Sequence, residues 1–93
     1  MSDLRVKVKE IKGNCPVYKK GDSFSILDGY KLKADKPICM HSLASLMPYY
    51  VGLSKGISSE ELGLGKEKAR VQCLDPCSYT GGGTVIFEIG VEK

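Results

Sequence analysis

Large aromatic residues, histidine and long apolar segments are scarce in this sequence. It has no tryptophan, two phenylalanines and one histidine in 93 residues, so a core must rely on Val, Ile, Leu, Met and Tyr. No apolar run approaches the length of about 20 residues that a membrane-spanning helix needs. The opening MSDLRVKVKE lacks the apolar segment of a secretory signal. These absences predict a cytoplasmic protein with no membrane partner.

The composition is typical of a small globular domain. Hydrophobic residues make up 42% of the chain and charged residues 27%, which is ordinary for a folded protein. The length suits one hydrophobic core, and no internal repeat or linker divides the chain. We therefore expect a single domain over residues 1–93.

The segment from Pro37 to Gly56 has the apolar spacing of one amphipathic helix. Five apolar residues recur at steps of four and three and form one stripe: Cys39, Leu43, Leu46, Tyr50 and Leu53. Four more apolar residues lie beside this stripe and widen it: Met40, Ala44, Met47 and Val51. This period is that of a helix facing a core. Both sets are expected to be buried, and the solvent side is expected to carry His41, Ser42, Ser45, Gly52 and Lys55.

Three residues set the expected course of this helix. Pro37 suits its first turn, where a missing N–H costs nothing, and Gly56 suits its end. Pro48 removes one backbone bond from the interior, so we expect either a kink at Met47 or a new short turn beginning at Pro48.

Strand patterns lie on both sides of the helix. Apolar and polar residues alternate over residues 4–9, 23–26, 30–34, 69–73 and 85–91, which is the period of half-buried strands. Ile11 is out of phase, so the first strand should bulge or end near Glu10. The order ββ(β)-α-ββ predicts an α+β fold in which an antiparallel sheet of four to five strands packs against one main helix.

Four cysteines make the strongest candidate site. Cys73 and Cys77 have three residues between them, a spacing at which one turn presents two thiolates to Zn²⁺. Cys15 lies in a Gly-Asn-Cys-Pro turn that resembles a second metal-binding turn, and Cys39 or His41 would complete four ligands. The pattern predicts a metal site for Zn or Fe near the helix start.

Two other interpretations of the cysteines stay open. Free cysteine packs as a small apolar residue, and Cys39 and Cys73 share faces with apolar neighbours. Alternatively, Cys39 in the first helical turn is a candidate for a thiol-dependent enzyme or redox sensor, because exposed N–H groups stabilise a thiolate.

The net charge of +3 gives a further alternative. A nucleic-acid or protein interaction module would use the basic residues of the N-terminal strands, and a homo-oligomer is also compatible with the sequence. The residues concerned are Arg5, Lys7, Lys9, Lys31 and Lys33.

Several short motifs together resemble one family of small stand-alone prokaryotic proteins. They are Gly13-x-Cys15, Gly21-Asp22-x-Phe24, Cys39, Leu46-Met47-Pro48, Gly56 and Cys73-x-Asp75. The family is largely archaeal and anaerobic, contains cysteines and has no established function. The resemblance implies one fold and a shared cluster of Cys15, Cys39 and Cys73, and it implies no substrate. Our leading hypothesis is accordingly a non-enzymatic domain with a cysteine cluster that binds a metal.

Overall fold

The computed structural model describes residues 2–73, 75 and 77–92 of the chain, with only the backbone of residues 77 and 78. The elements in order are β1 (Asp3–Gly13), β2 (Ser23–Leu27), β3 (Lys31–Lys33), α1 (Met40–Ser54), β4 (Ala69–Gln72), α2 (Cys77–Thr80) and β5 (Gly83–Glu92). Neither helix of this described part has the length and apolar character that crossing a membrane requires.

The strands form one five-stranded sheet in the order β3-β2-β1-β5-β4. Every neighbouring pair is antiparallel, so the predicted α+β class with one main helix is confirmed. The central pair joins the first and last strands, from Asp3 opposite Glu92 to Gly13 opposite Gly83. The first strand of the chain is therefore the centre of the sheet, and the last strand lies beside it.

The expected irregularity near Glu10 is present in β1. Its register against β5 shifts between Val8 and Glu10, which leaves an extra residue in β1 as in a β-bulge. Beyond the shift Ile11 lies opposite Val85, so the second half of the strand again turns an apolar side chain towards the core.

Helix α1 runs antiparallel to β1 on one face of the sheet. At the C-terminal end of the helix, Ser2 donates its N–H to the Ser54 carbonyl at 2.7 Å, and the Ser54 hydroxyl donates to the Ser2 carbonyl at 3.0 Å. The helix therefore ends beside the beginning of β1. Its N-terminus lies further along β1, where the N–H of Cys39 donates to the hydroxyl of Tyr18 at 3.1 Å.

The face that α1 buries agrees with the expected one only in part. The predicted main stripe packs on the core, with Leu46 and Leu53 buried. Its other side differs: the serines expected in solvent are buried, and the four residues expected to widen the stripe are exposed, namely Ser42 and Ser45, then Met40, Ala44, Met47 and Val51. The segment carries apolar residues around most of its circumference, so periodicity could not choose the buried side. The hydroxyls of Ser42 and Ser54 have hydrogen-bond partners outside the helix, and that of Ser45 bonds to a carbonyl of the helix itself, so the buried serines of α1 are all paired.

The helix also begins later than expected and passes through its proline. Pro37 lies before the first helical residue, and Cys39 is the N-cap residue rather than part of the first turn. Pro48 neither ends α1 nor starts a new helix. The side chain of Pro48 is exposed, so the Ala44 carbonyl that it leaves without a helical N–H is on the solvent side and can be hydrated. Gly56 adopts φ +94° just after the end, as expected.

Substitution of Gly83 tests the close approach of β5 to the chain after β1. A Cβ at Gly83 would lie 2.7 Å from the Asn14 carbonyl carbon and from the Cys15 nitrogen. Gly83→Ala should therefore lower the free energy of unfolding by about 1–3 kcal/mol, as overpacking against backbone does, measured by urea denaturation.

Gly90→Ala is the matched control on the same strand. Nothing lies within 4 Å of a Cβ at that position, and removing a strand glycine should leave stability unchanged or raise it by about 0.5–1 kcal/mol. Equal losses for the two variants would contradict the close approach.

Candidate functional site

The topology places three of the four cysteines at the same end of the sheet. Cys15 follows the last residues of β1, and Cys73 follows β4, which runs parallel to β1 because both pair antiparallel with β5. Cys39 caps the N-terminus of α1 and is joined to the Cys15 turn through Tyr18. The backbone of Cys77 begins α2, which precedes the start of β5.

Cys15 is held by a tight turn and by the start of β5. The N–H of Tyr18 donates to the Cys15 sulfur at 3.3 Å, and the N–H of Asn14 donates to the Gly82 carbonyl at 3.2 Å. The absence of a side chain at Gly83 lets β5 approach the Cys15 backbone. Gly82 and Gly83 thus allow close packing at this end, whereas Gly81 has open space around it and a φ of +75°.

Tyr18 joins the Cys15 turn to the helix N-terminus through a closed ring of hydrogen bonds. The Cys39 N–H donates to the Tyr18 hydroxyl at 3.1 Å, and the Ser42 hydroxyl donates to the Cys39 carbonyl at 2.7 Å. The Tyr18 hydroxyl therefore donates the remaining hydrogen to the Ser42 oxygen, 2.7 Å away. This ring fixes Cys39 relative to Cys15, because both contact the same tyrosine.

The ring of Tyr18 lies in the core beside two phenylalanines. It stacks on Phe24 with the ring centroids 6.4 Å apart and meets Phe87 edge-on at 5.6 Å. Burial raises the pKa of Tyr18, while the hydrogen bonds with Ser42 and Cys39 act in the opposite direction. The phenol therefore stays protonated at neutral pH and keeps the donor on which the hydrogen-bond ring depends.

Cys73 lies on the inner face of the sheet, and Asp75 is held beside the start of β5. Its N–H donates to the Val85 carbonyl at 2.8 Å, and its side chain is buried. The Asp75 carbonyl accepts a hydrogen bond from the Thr84 hydroxyl, and its carboxylate accepts one from Thr80. These contacts attach the turn that leads into Cys77 to the beginning of β5.

The described residues alone do not complete a metal site. Among them, no three His, Cys, Asp or Glu side chains are grouped so that they could hold a metal ion. The thiol of Cys77, the fourth predicted ligand, lies outside the described residues. His41 is exposed on the outer side of α1. Three described thiols (Cys15, Cys39 and Cys73) are free.

The five predicted basic residues share the sheet face opposite α1. Arg5, Lys7 and Lys9 alternate with the buried residues of β1. The register places Ser25 opposite both Arg5 and Lys33, and Leu27 opposite Lys31, so β3 turns its lysines to the same side.

Carboxylates of β5 neutralise part of this charge. Glu92 pairs with Arg5 at 2.7 Å, while Glu88 is shared by three cations at 3.1 to 3.4 Å: Lys9, Lys68 and Arg70. The hydrogen bond from Lys68 lowers the pKa of Glu88 below its usual range. Among the described residues, neither Lys7 nor Lys33 has an ion-pair partner.

Fold and site together define an α+β domain with a helix on one face of its sheet and cysteines at one end. Comparisons of the chain with family models, with curated proteins and with solved structures gave no match. The family resemblance of the sequence motifs therefore stays a prediction, and the function has to be argued from the geometry.

Two residues that lie between the Cys15 turn and the helix N-terminus were not predicted from the sequence. Tyr18 and Ser42 connect the cysteine turns, but a tyrosine in a polar loop and a serine on the expected solvent side gave no warning of it. The one available signal was the position of Tyr18 three residues after Cys15, where its N–H can reach the sulfur.

Removal of the Tyr18 hydroxyl tests the hydrogen-bond ring. Tyr18→Phe keeps the packed aromatic ring but leaves the Cys39 N–H without its acceptor and the Ser42 oxygen without its donor. Unfolding should become easier by about 1–3 kcal/mol, the cost of unpaired buried groups, in chemical denaturation. Tyr30→Phe, at a tyrosine that is 72% exposed, should change nothing. If Tyr18→Phe and Tyr30→Phe are equally stable, the hydrogen-bond ring does not anchor the helix.

Proposed function

We propose that the cysteine end of this domain binds a metal ion as a structural, non-enzymatic centre, with Zn²⁺ as the first candidate and Fe²⁺ as the second. The ligands are the thiolates of the four cysteines, Cys15, Cys39, Cys73 and Cys77. The observation that carries the proposal is topological. Two segments far apart in sequence bring Cys15 and the Cys73–Cys77 pair to the same end of one sheet, and Tyr18 links Cys39 to the Cys15 turn.

The local chemistry supports thiolates at this end. The Cys15 sulfur already accepts an N–H from Tyr18, and hydrogen bonds of this kind stabilise sulfur that bears negative charge. The turn from Cys73 to Cys77 has the spacing of a two-thiolate metal-binding turn. Thiolates suit Zn²⁺ and Fe²⁺ better than Mg²⁺ or Ca²⁺, which prefer oxygen.

Closing the site requires the Cys77 thiol and movement of side chains. Zinc thiolate sites are tetrahedral, with sulfur about 2.3 Å from the metal, whereas the described side chains hold no such group. We expect the turn containing Cys73 and Cys77 to bind the ion first, with Cys15 and Cys39 completing the shell. Because the metal joins four segments, its binding free energy adds to the stability of the fold.

Metal analysis of untagged protein tests this proposal. Protein purified without chelator should carry about one zinc or iron per chain, as expected for a four-thiolate site. A chelator should lower the melting temperature, and so should acid, because protons compete with the metal for thiolates. Cys73→Ser and Cys77→Ser should each abolish metal binding. His41→Ala is the control and should retain the metal, because His41 is exposed on the outer side of α1.

Metal content and thiol reactivity also distinguish the metal centre from the alternative of a thiol-dependent enzyme. If the native protein carries neither metal above background and all four thiols react with a thiol reagent, the metal proposal is wrong. Fast, pH-dependent alkylation confined to Cys39, with an apparent pKa well below the usual 8.5 or so, would favour a reactive thiol at the helix N-cap. Loss of metal from His41→Ala but not Cys39→Ser would make the histidine the fourth ligand.

A second candidate function is the binding of a polyanion such as single-stranded nucleic acid to the sheet face opposite α1. The observation that favours it is the pair of exposed cations, Lys7 and Lys33, that have no ion-pair partner among the described residues on a face they share with Arg5. Glu88 and Glu92 offset much of the remaining charge, so the binding would be weak and sensitive to salt.

Fluorescence anisotropy with a labelled oligonucleotide at low salt tests this second candidate. Binding should be detectable, should weaken as salt rises, and should be lost in the double variant Lys7→Glu, Lys33→Glu. Lys55→Glu is the control. It reverses one charge at an exposed position after α1 and should weaken binding far less than the double variant. Unchanged anisotropy for the native protein at low salt would rule the candidate out.

A further inference from the structure

The outward side of α1 presents an apolar stripe that the fold leaves uncovered. Met40 is 75% exposed, Met47 61% and Val51 39%, and Ala44 and Pro48 are exposed between them. Met40, Ala44, Met47 and Val51 recur at steps of four, three and four, so they line one side of the helix. We call these four residues the methionine stripe. Scattered apolar residues on a surface are ordinary, but a contiguous apolar row indicates an interaction site.

The stripe carries no charge with which to select a charged partner. From Met40 to Ser54 the helix contains no Asp, Glu, Lys or Arg. Its partner must therefore offer an uncharged apolar surface, and the same stripe on a second molecule meets that requirement. We propose that this domain self-associates through α1, as a twofold dimer in which the methionine stripes of two copies of this chain pack antiparallel.

The spacing of the stripe is symmetric, which suits a twofold axis. Read from either end, the steps are four, three and four. An antiparallel pairing therefore places Met40 against Val51 of the partner subunit and Met47 against the partner subunit's Ala44. Each central contact joins a long side chain to a small one. A twofold interface is formed by the same surface on both subunits, and this stripe is complementary to itself.

The uncompensated N-terminus of the helix favours the same arrangement. The first turn of α1 has no acidic residue, and the only cation near the other end is Lys55 at the C-cap, so the positive end of the helix dipole is not neutralised by its own side chains. Antiparallel packing brings the positive end of one helix beside the negative end of the other.

The size of the stripe sets the strength of the dimer. At 15 residues the helix is roughly 22 Å long, given a rise of about 1.5 Å per residue. One helix face of that length buries less than the ~800 Å² per partner of a standard stable interface. The dimer should therefore be weak and in exchange with monomer at micromolar concentration.

A membrane surface is a poorer occupant of this stripe. Helices that lie in a membrane interface usually carry lysine and arginine on their polar face, and α1 has neither. The buried side of α1 is instead committed to the sheet, through Leu46, Leu53 and the hydrogen-bonded serines.

Sedimentation velocity over a range of protein concentrations tests the proposal. Samples contain a reducing agent so that disulfides between free cysteines cannot imitate a dimer. The native protein should shift from monomer towards twice the monomer mass as concentration rises. Met47→Glu should weaken association at least tenfold, because it places a carboxylate in each half of the interface. Leu32→Glu introduces the same charge at an exposed position of β3, 46% accessible, and should leave association unchanged.

A second measurement does not depend on the variants. In spectra of the native protein with labelled methionine methyl groups, the Met40 and Met47 signals should shift with concentration, whereas reference methyl groups of the core should not. Circular dichroism confirms that each variant retains the fold. A native protein that stays monomeric throughout overturns the proposal, as does equal weakening by Leu32→Glu and Met47→Glu. Association with vesicles in place of a dimer also overturns it.

Discussion

The alignment of α1 on the sheet depends on the hydroxyl of Tyr18. This one side chain accepts the N–H of the helix N-cap, donates to a buried serine and belongs to a turn that is closed on the Cys15 sulfur. Its ring simultaneously fills the core between Phe24 and Phe87. At the other end of the helix, Ser54 is bonded to Ser2. With both ends held, the helix has one position and one rotation on the sheet.

That fixed rotation explains both proposed surfaces. It holds the N-terminus of α1, with Cys39, against the tyrosine of the Cys15 turn. It also turns the serine side inwards, where each hydroxyl is paired, and leaves the methionine stripe outside. Among the described residues, no buried side-chain oxygen or nitrogen lacks a partner. The same hydrogen bonds that make a polar helix face tolerable in the core therefore also expose an apolar one.

The strands were predictable because their signal is local, whereas the helix orientation was not. Leu4, Val6 and Val8 alternate with charged residues, and that pattern alone assigns β1 and its buried face. In α1, apolar residues occur on nearly every side, so the choice of buried face depends on partners distant in sequence, such as Tyr18 and Ser2. The sequence predicted a cluster of the cysteines, which the described side chains do not form as a group of three. The link between Cys15 and Cys39 runs through a loop tyrosine that has no sequence signature.

The pairing of β1 with β5 has a consequence for how the chain folds. Leu4 lies opposite Val91, so the central ladder joins residues from almost opposite ends of the polypeptide. Contacts of such long sequence separation carry a large loop-closure entropy and slow folding. During synthesis, β1 can pair with β2 early, but its other edge must wait unpaired until β5 has left the ribosome. A β1–β2 hairpin formed before β5 is available has an open strand edge, and open edges favour aggregation.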